Sequence, residues 1–277
     1  MLELSILDAA MPPPPDPPGG EVEVWRDHDG VVCAYGYTVG RHAWMHLPDV
    51  ASFSFDRDSD RVTATPYASV RPAVIRDAYH RSVLPMILQA HHTEVLHASA
   101  VLAQHGVIAL CATSGTGKST LAAGLGRRGY RVWADDAVAV AVTESCFNAL
   151  PLPFTIRLRP SAAALFRGVL AVTDAALHSD AAEMKPAPLA AVCVLERADG
   201  LRRAVKIERL RPAPAFPAVL AHAYCFSLRD LTRKRQMVQQ YLDLTARVPV
   251  FAVHFESGHD KLPMILDAIE RVINERP

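Results

Sequence analysis

Three stretches of this chain carry side chains that could handle phosphate. They are a lysine flanked by glycine and hydroxyls in Ser114-Gly115-Thr116-Gly117-Lys118-Ser119-Thr120, a carboxylate pair at Asp135-Asp136, and an imidazole at His97. The first has the P-loop layout, an apolar β run (Gly106 to Cys111), a glycine loop, then a helix. Glycines are required because successive backbone N–H groups must turn inward around a phosphate, through angles that a Cβ would block. The helix N-terminus adds unpaired N–H groups and its positive dipole end. Lys118 would reach the terminal phosphates, and the Ser119 hydroxyl would hold Mg²⁺. Ala112 stands where the pattern usually has its first glycine, at the point where the strand leaves the sheet.

The elements that must position these groups follow from periodicity. Leu121, Ala122 and Leu125 share one helical face, and Gly129 is a natural stop. Tyr130 to Ala134 is β-like and runs into the two aspartates. Strand, helix and strand within about 30 residues make a βαβ unit with two parallel strands, whose ends share one edge of the sheet. Asp135 and Asp136 therefore emerge beside the phosphate loop, where such sheets bind ligands. One of the pair faces the phosphate, since alternate residues point to opposite faces. Asp135 would support the metal directly or through water. Upstream, Val95 to Leu102 and Val107 to Cys111 are two β runs joined by Ala103-Gln104-His105-Gly106. A hairpin with Leu102 opposite Val107 sets His97 opposite Ala112.

His97 with its β-hairpin, SGTGKST and RRGYRVWADD together resemble the HPr serine kinase/phosphorylase family, whose fold is similar to that of phosphoenolpyruvate carboxykinase. The specific match covers roughly residues 94 to 136. The resemblance implies an α/β P-loop kinase core with ATP and Mg²⁺ as cofactors. It implies Lys118 on the phosphates, Ser119 on Mg²⁺, His97 as a catalytic-site histidine, and Asp136 as the base that takes the proton from a serine hydroxyl. The family's Glu-x-Arg-Gly segment is not present; that region reads Pro153-Phe154-Thr155-Ile156-Arg157-Leu158-Arg159-Pro160. Read as extended chain, it puts Arg157 and Arg159 on one face, toward phosphate or a substrate carboxylate, with Arg157 preferred. In layout the chain resembles the shorter kinase relatives, including those that phosphorylate the C-terminal serine of lasso-peptide precursors.

Composition narrows the setting. The chain has 277 residues, half of them hydrophobic, enough for one large domain or a domain plus a small appendage. Lysine plus arginine and aspartate plus glutamate number 29 each, so no global field argues for nucleic acid or acidic membranes. Five scattered cysteines without a CxxC pair read as free thiols of a cytoplasmic protein. The start lacks a basic signal region, and no apolar run is long enough to span a membrane.

Three domains are expected. Residues 1–20, ending in MPPPPDPPGG, read as a proline-rich arm. Residues 21–92 read as an antiparallel β-rich subdomain plus one or two helices around Pro85, and 93–277 as the kinase domain. Residues 161–188 read as an alanine-rich helix and an acidic, proline-punctuated loop. His91 and His92 lack metal-ligand partners at a known spacing and read as helix-end or surface residues. The expected activity is ATP- and Mg²⁺-dependent transfer of a phosphoryl group to a serine hydroxyl of a peptide or protein partner. A kinase of a free serine-like metabolite and a nucleotide-binding module without transfer are the alternatives, and homo-oligomerisation stays open.

Overall fold

The computed structural model describes residues 2–8, 10, 22–26, 29–67, 70–143, 146–166, 178, 179, 181 and 184–274. The proline run at 11–20 and much of the stretch from 167 to 183 lie outside the described residues. Two compact units emerge, 1–92 with 225–234, and 93–224 with 235–277. Residues 225–234 thus belong with the first unit, although the sequence reads 93–277 as one body.

The first unit is a six-stranded sheet in which short Asp/Gly turns link alternating apolar and polar runs. Its strands are β1 (Glu3–Ile6), β2 (Glu23–Arg26), β3 (Val32–Val39), β4 (His42–Leu47), β5 (Ala51–Asp56) and β6 (Arg61–Pro66), in the order β1-β6-β5-β4-β3-β2. β2 through β6 form an antiparallel meander, and β1 pairs in parallel with β6. The sequence reads the first twenty residues as an arm, yet Glu3–Ile6 is a strand. Its alternation of Leu4 and Ile6 with Glu3 and Ser5 suits a half-covered edge position. The helical stretch that follows runs α1 (Pro72–Ala78), a π-helical turn (Tyr79–Val83) and α2 (Leu84–Ala90). Pro85 cannot donate the hydrogen bond an α-helix needs there and crowds the preceding turn; the wider π-turn takes up that misfit. Residues 225–234 are held in this unit by Phe226 N–H donating to Gln89 Oε1 (2.8 Å), Ser227 Oγ to Glu23 (2.9 Å) and Arg57 to Asp230 (2.8 Å).

The second unit is built on a nine-stranded sheet. Its strands are β7 (Glu94–Leu96), β8 (Ala98–Ala103), β9 (Gly106–Cys111), β10 (Arg131–Ala134), β11 (Val138–Val142), β12 (Phe147–Leu150), β15 (Ala187–Arg197), β16 (Val205–Leu210) and β17 (Val250–Phe255). A separate two-stranded pair joins β13 (Phe154–Thr155) to β14 (His178–Ser179). Its helices are α3 (Lys118–Arg127), α4 (Pro160–Leu165), α5 (Pro212–Leu220), α6 (Leu231–Arg247), whose first residues count with the first unit, and α7 (Leu262–Asn274). β15 is the hub: parallel to β9 on one side and to β17 on the other, it also meets β12 at its beginning. From there the sheet runs out one way through β9, β8 and β10, another through β17 and β16, and a third through β12, β11 and β7.

The helix and hairpin expectations hold at the level of register. Leu102 lies opposite Val107 and Ala98 opposite Cys111, so the ladder runs out just where His97 would face Ala112. β10 and β9 are parallel, but β8 lies between them and pairs with both. The run from Val95 to Leu102 is not one strand. It breaks at His97, with β7 pairing to β11 and β8 to β9 and β10. α3 and α7 cover one face of the sheet around Leu110, Leu121, Leu125, Leu195, Val253 and Ile269. Gly124 is what lets them approach, because a Cβ there would stand 2.9 Å from Leu266. Among the described residues no helix is long and apolar enough to cross a membrane.

Candidate active site

β9 delivers the chain to the phosphate loop. Ala112 is fully buried in the core under α3, a position that asks for a small apolar side chain and no left-handed backbone. The tight bends fall later, at Gly115 (φ +84°) and Gly117 (φ +123°), and there glycine is required. Thr116 N–H donates to the Thr113 carbonyl (3.3 Å), and the Thr113 and Thr116 hydroxyls are 3.0 Å apart, so the loop is internally braced. Ser114 is exposed and Thr120 half-buried in the first turn of α3. Lys118 is 6% exposed and folds back, its Nζ donating to the Ala112 carbonyl at 2.9 Å. Burial pushes its pKa down, opposed chiefly by the charge of Asp136 and also by Asp135.

The two aspartates behave differently. Asp135 is 6% exposed, and its Oδ1 accepts from Ser99 Oγ at 2.6 Å and Ser119 Oγ at 2.8 Å. Its Oδ2 accepts from the Arg157 backbone N–H at 3.4 Å. Burial raises its pKa, as does Asp136 beside it, while the three donors pull the other way. Asp136 is half-buried and sits at φ +67°, turned out of strand geometry. Its carbonyl accepts from the Tyr224 hydroxyl at 3.3 Å, and its carboxylate makes no hydrogen bond to the described residues. One carboxylate is therefore engaged with the loop serine, and its neighbour is left with all its lone pairs.

His97 occupies the break between β7 and β8. Its N–H donates to the His222 carbonyl at 2.7 Å, and its ring meets the Tyr224 ring edge-on at 6.0 Å between centroids. Burial, the Lys118 charge and His222 together bring its pKa down to about 4, so the imidazole is neutral at ordinary pH. His222 is shifted in the same direction by burial and by Lys118. The segment from His222 to Tyr224 follows α5 and lies along β7, with a bridge from Ala223 to Leu96 and Tyr224 N–H on the Val95 carbonyl (2.9 Å).

The arginines sort themselves by geometry. Beyond the two-residue β13, Arg157 and Arg159 lie in extended chain ahead of α4, not in a strand. Arg157 presents its backbone N–H to Asp135, while the Arg159 guanidinium lies against the loop, 3.0 Å from where a Gly115 Cβ would be. A further arginine, Arg197, comes from the end of β15; its guanidinium donates to the carbonyls of Gly115 (2.8 Å) and Thr116 (3.2 Å).

Ser99, Arg197, His222 and Tyr224 are site residues that the sequence reading missed. Two had a signal. Ser99 is two residues beyond His97 in a β run and so shares its face, and Arg197 ends a buried strand on the edge where parallel sheets bind ligands. His222 and Tyr224 had none, because only the tertiary path after α5 brings them in.

No protein-family model matches the chain, and no curated protein sequence matches it. Among solved structures, it is similar to the Hpr(Ser) kinase/phosphatase from Coxiella burnetii, at 12% identity and a TM-score of 0.32, over 64% of this chain and 95% of that one.

Proposed function

We propose that this protein is an ATP- and Mg²⁺-dependent kinase that transfers a phosphoryl group to a serine hydroxyl of a peptide or protein, with the C-terminal serine of a lasso-type precursor peptide as the specific acceptor. The observation that carries the reading is the division of labour between the aspartates. Asp135 is tied to the loop serine Ser119, and Asp136 stands free beside Lys118.

The residues fit a magnesium nucleotide. Mg²⁺ takes oxygen ligands and is commonly held by one or two carboxylates together with substrate phosphates. Ser119 and Asp135 offer hard oxygen donors at the helix N-terminus, while Gly115, Gly117 and the α3 amide groups can receive phosphate oxygens. The metal would neutralise developing charge on the phosphates.

The protein's own part is positioning and proton transfer. Lys118 exchanges the Ala112 carbonyl for a phosphate oxygen, a better partner for a buried ammonium. The Asp136 carboxylate accepts the proton of the acceptor hydroxyl as oxygen attacks phosphorus and the bond to the leaving oxygen breaks. The neutral His97 donates or accepts a hydrogen bond at the same place without adding charge.

The test is incubation of the purified protein with ATP and Mg²⁺ against a panel of serine-ended peptides and free serine, with Lys118→Ala as the inactive control. Phosphoserine at the peptide C-terminus is expected. Preferred turnover of free serine would make it a metabolite kinase, and tight ATP binding with no phosphorylated acceptor would make it a nucleotide-binding module.

A further inference from the structure

At the far edge of the second unit's sheet, β16 pairs with β17 over its whole length, and no described residue pairs with its other side. A groove of about 760 Å³ runs there, between β16, the turn before it and α7. Its lining carries five cations, Arg202, Arg203, Lys206, Arg209 and Arg271, and no carboxylate. All five are exposed. Lys206 shares its charge with Glu208 at 2.9 Å, outside the lining, and Arg271 Nε donates to the Asp267 carbonyl. Arg202, Arg203 and Arg209 have no carboxylate partner among the described residues. Ile207, Phe251 and Val272, each partly buried, supply an apolar floor.

We infer that this groove is a docking site for an extended acidic peptide segment of a partner protein, which adds as a strand to the open edge of β16. Two observations select that occupant. Both odd and even residues of β16, Val205, Lys206, Ile207 and Arg209, line the groove. Val205, Ile207 and Arg209 share the face that also presents Phe251 and meets α7, and Lys206, pointing the other way, carries the lining round to the strand's outer edge, where unpaired main-chain N–H and C=O groups await a partner. The charge is local, since the chain as a whole carries a formal net charge of zero. A lone edge lysine is a common device for keeping strands apart. Five cations repel a second copy of the same edge and attract a segment rich in aspartate or glutamate whose alternate side chains are apolar. The site is remote in sequence from the phosphate loop and stands independently of the kinase reading.

The probe is a fluorescein-labelled peptide of alternating valine and glutamate, about ten residues long to match a strand, titrated with the full-length protein and read by anisotropy. Saturable binding is expected, weakened about tenfold or more by Arg203→Glu with Arg209→Glu and by raising the salt concentration. Both positions are exposed, and an unchanged melting temperature shows that the double variant folds. A peptide N-methylated at every residue of its central stretch is expected not to bind, since neither of its edges can then join the strand ladder. Any of three results would overturn the inference: no saturable binding, equal binding by the charge-reversed variant, or binding unaffected by N-methylation. Tighter binding of an oligothymidylate or polyphosphate of matched charge would overturn it too, making the groove a general polyanion site.

Discussion

Replacing Asp136 by asparagine separates chemistry from stability more cleanly than any other change at this site. The Asp136 carboxylate makes no hydrogen bond to the described residues, and the bond from Tyr224 goes to its main-chain carbonyl, which the substitution keeps. Its backbone is left-handed at φ +67°, a region where asparagine is among the best tolerated residues. Folding stability is thus expected to change by no more than about 0.5 kcal/mol. Two electrostatic consequences follow. Asp135 loses the neighbouring negative charge that raises its pKa, and Lys118 loses the leading attraction that opposes its own downward shift. Neither disrupts the contact from Ser119 to Asp135. If Asp136 is the base proposed above, its loss should lower turnover by about 10²- to 10⁴-fold, equivalent to about 3–5 kcal/mol of transition-state stabilisation. The assay pairs thermal melting with phosphoryl transfer at saturating ATP·Mg²⁺ and a direct nucleotide-binding titration. Asp136→Asn turning over at the wild-type rate refutes the base assignment, and a large drop in melting temperature refutes the claim that this carboxylate is structurally idle.

Three further outcomes follow. Arg197→Ala removes both guanidinium bonds to the Gly115 and Thr116 carbonyls, so the dissociation constant for ATP should rise about tenfold with little change in melting temperature, given the modest stabilising value of exposed charged contacts; unchanged affinity would mean the loop holds its shape without it. Gly106→Ala places a Cβ 2.2 Å from the Pro188 carbonyl oxygen at φ +132°, which should cost about 3–5 kcal/mol in denaturant unfolding; a near-neutral result would show that β15 can move aside. His46 is 1% exposed and its pKa is held down to about 4 by burial, against an ordinary 6.5. Because the unfolded imidazole takes up its proton near pH 6.5 and the folded one only near 4, stability should fall on acidification across that window by about 3 kcal/mol from this group. His46→Leu should show a correspondingly shallower acid limb in unfolding measured from pH ~7 to ~4, and an identical limb would exclude the assignment.

Where one local pattern settles the matter, the sequence was legible. The spacing of Gly115, Gly117 and Lys118 dictates strand, loop and helix, and the turn from Ala103 to Gly106 fixes a register that holds as far as Ala98 opposite Cys111, one residue short of His97. Propensity does not rank strands, so nothing in Tyr130 to Ala134 tells that β8 would lie between β10 and β9. Glu3–Ile6 was obscured by the prolines behind it, although its pairing is with residues some sixty positions away. The sequence prefers Arg157 to Arg159, yet no local pattern could tell that the approach of the phosphate loop sets the guanidinium of Arg159 beside Gly115, while Arg157 meets Asp135 through its backbone N–H. Tyr224 enters the site through long-range hydrogen bonds that no window of neighbouring residues contains.

The interruption at His97 has a practical corollary for engineering. Within ten consecutive residues, Glu94 to Ala103, one strand pairs with β11 and the next with both β9 and β10, so inserting or deleting a single residue between them would turn the later side chains to the wrong face of one partner set while leaving the other in place. Changes of side chain, not of length, belong in His222 to Tyr224, which borders both the imidazole and the main chain of Asp136 and is tied residue by residue to Val95, Leu96 and His97.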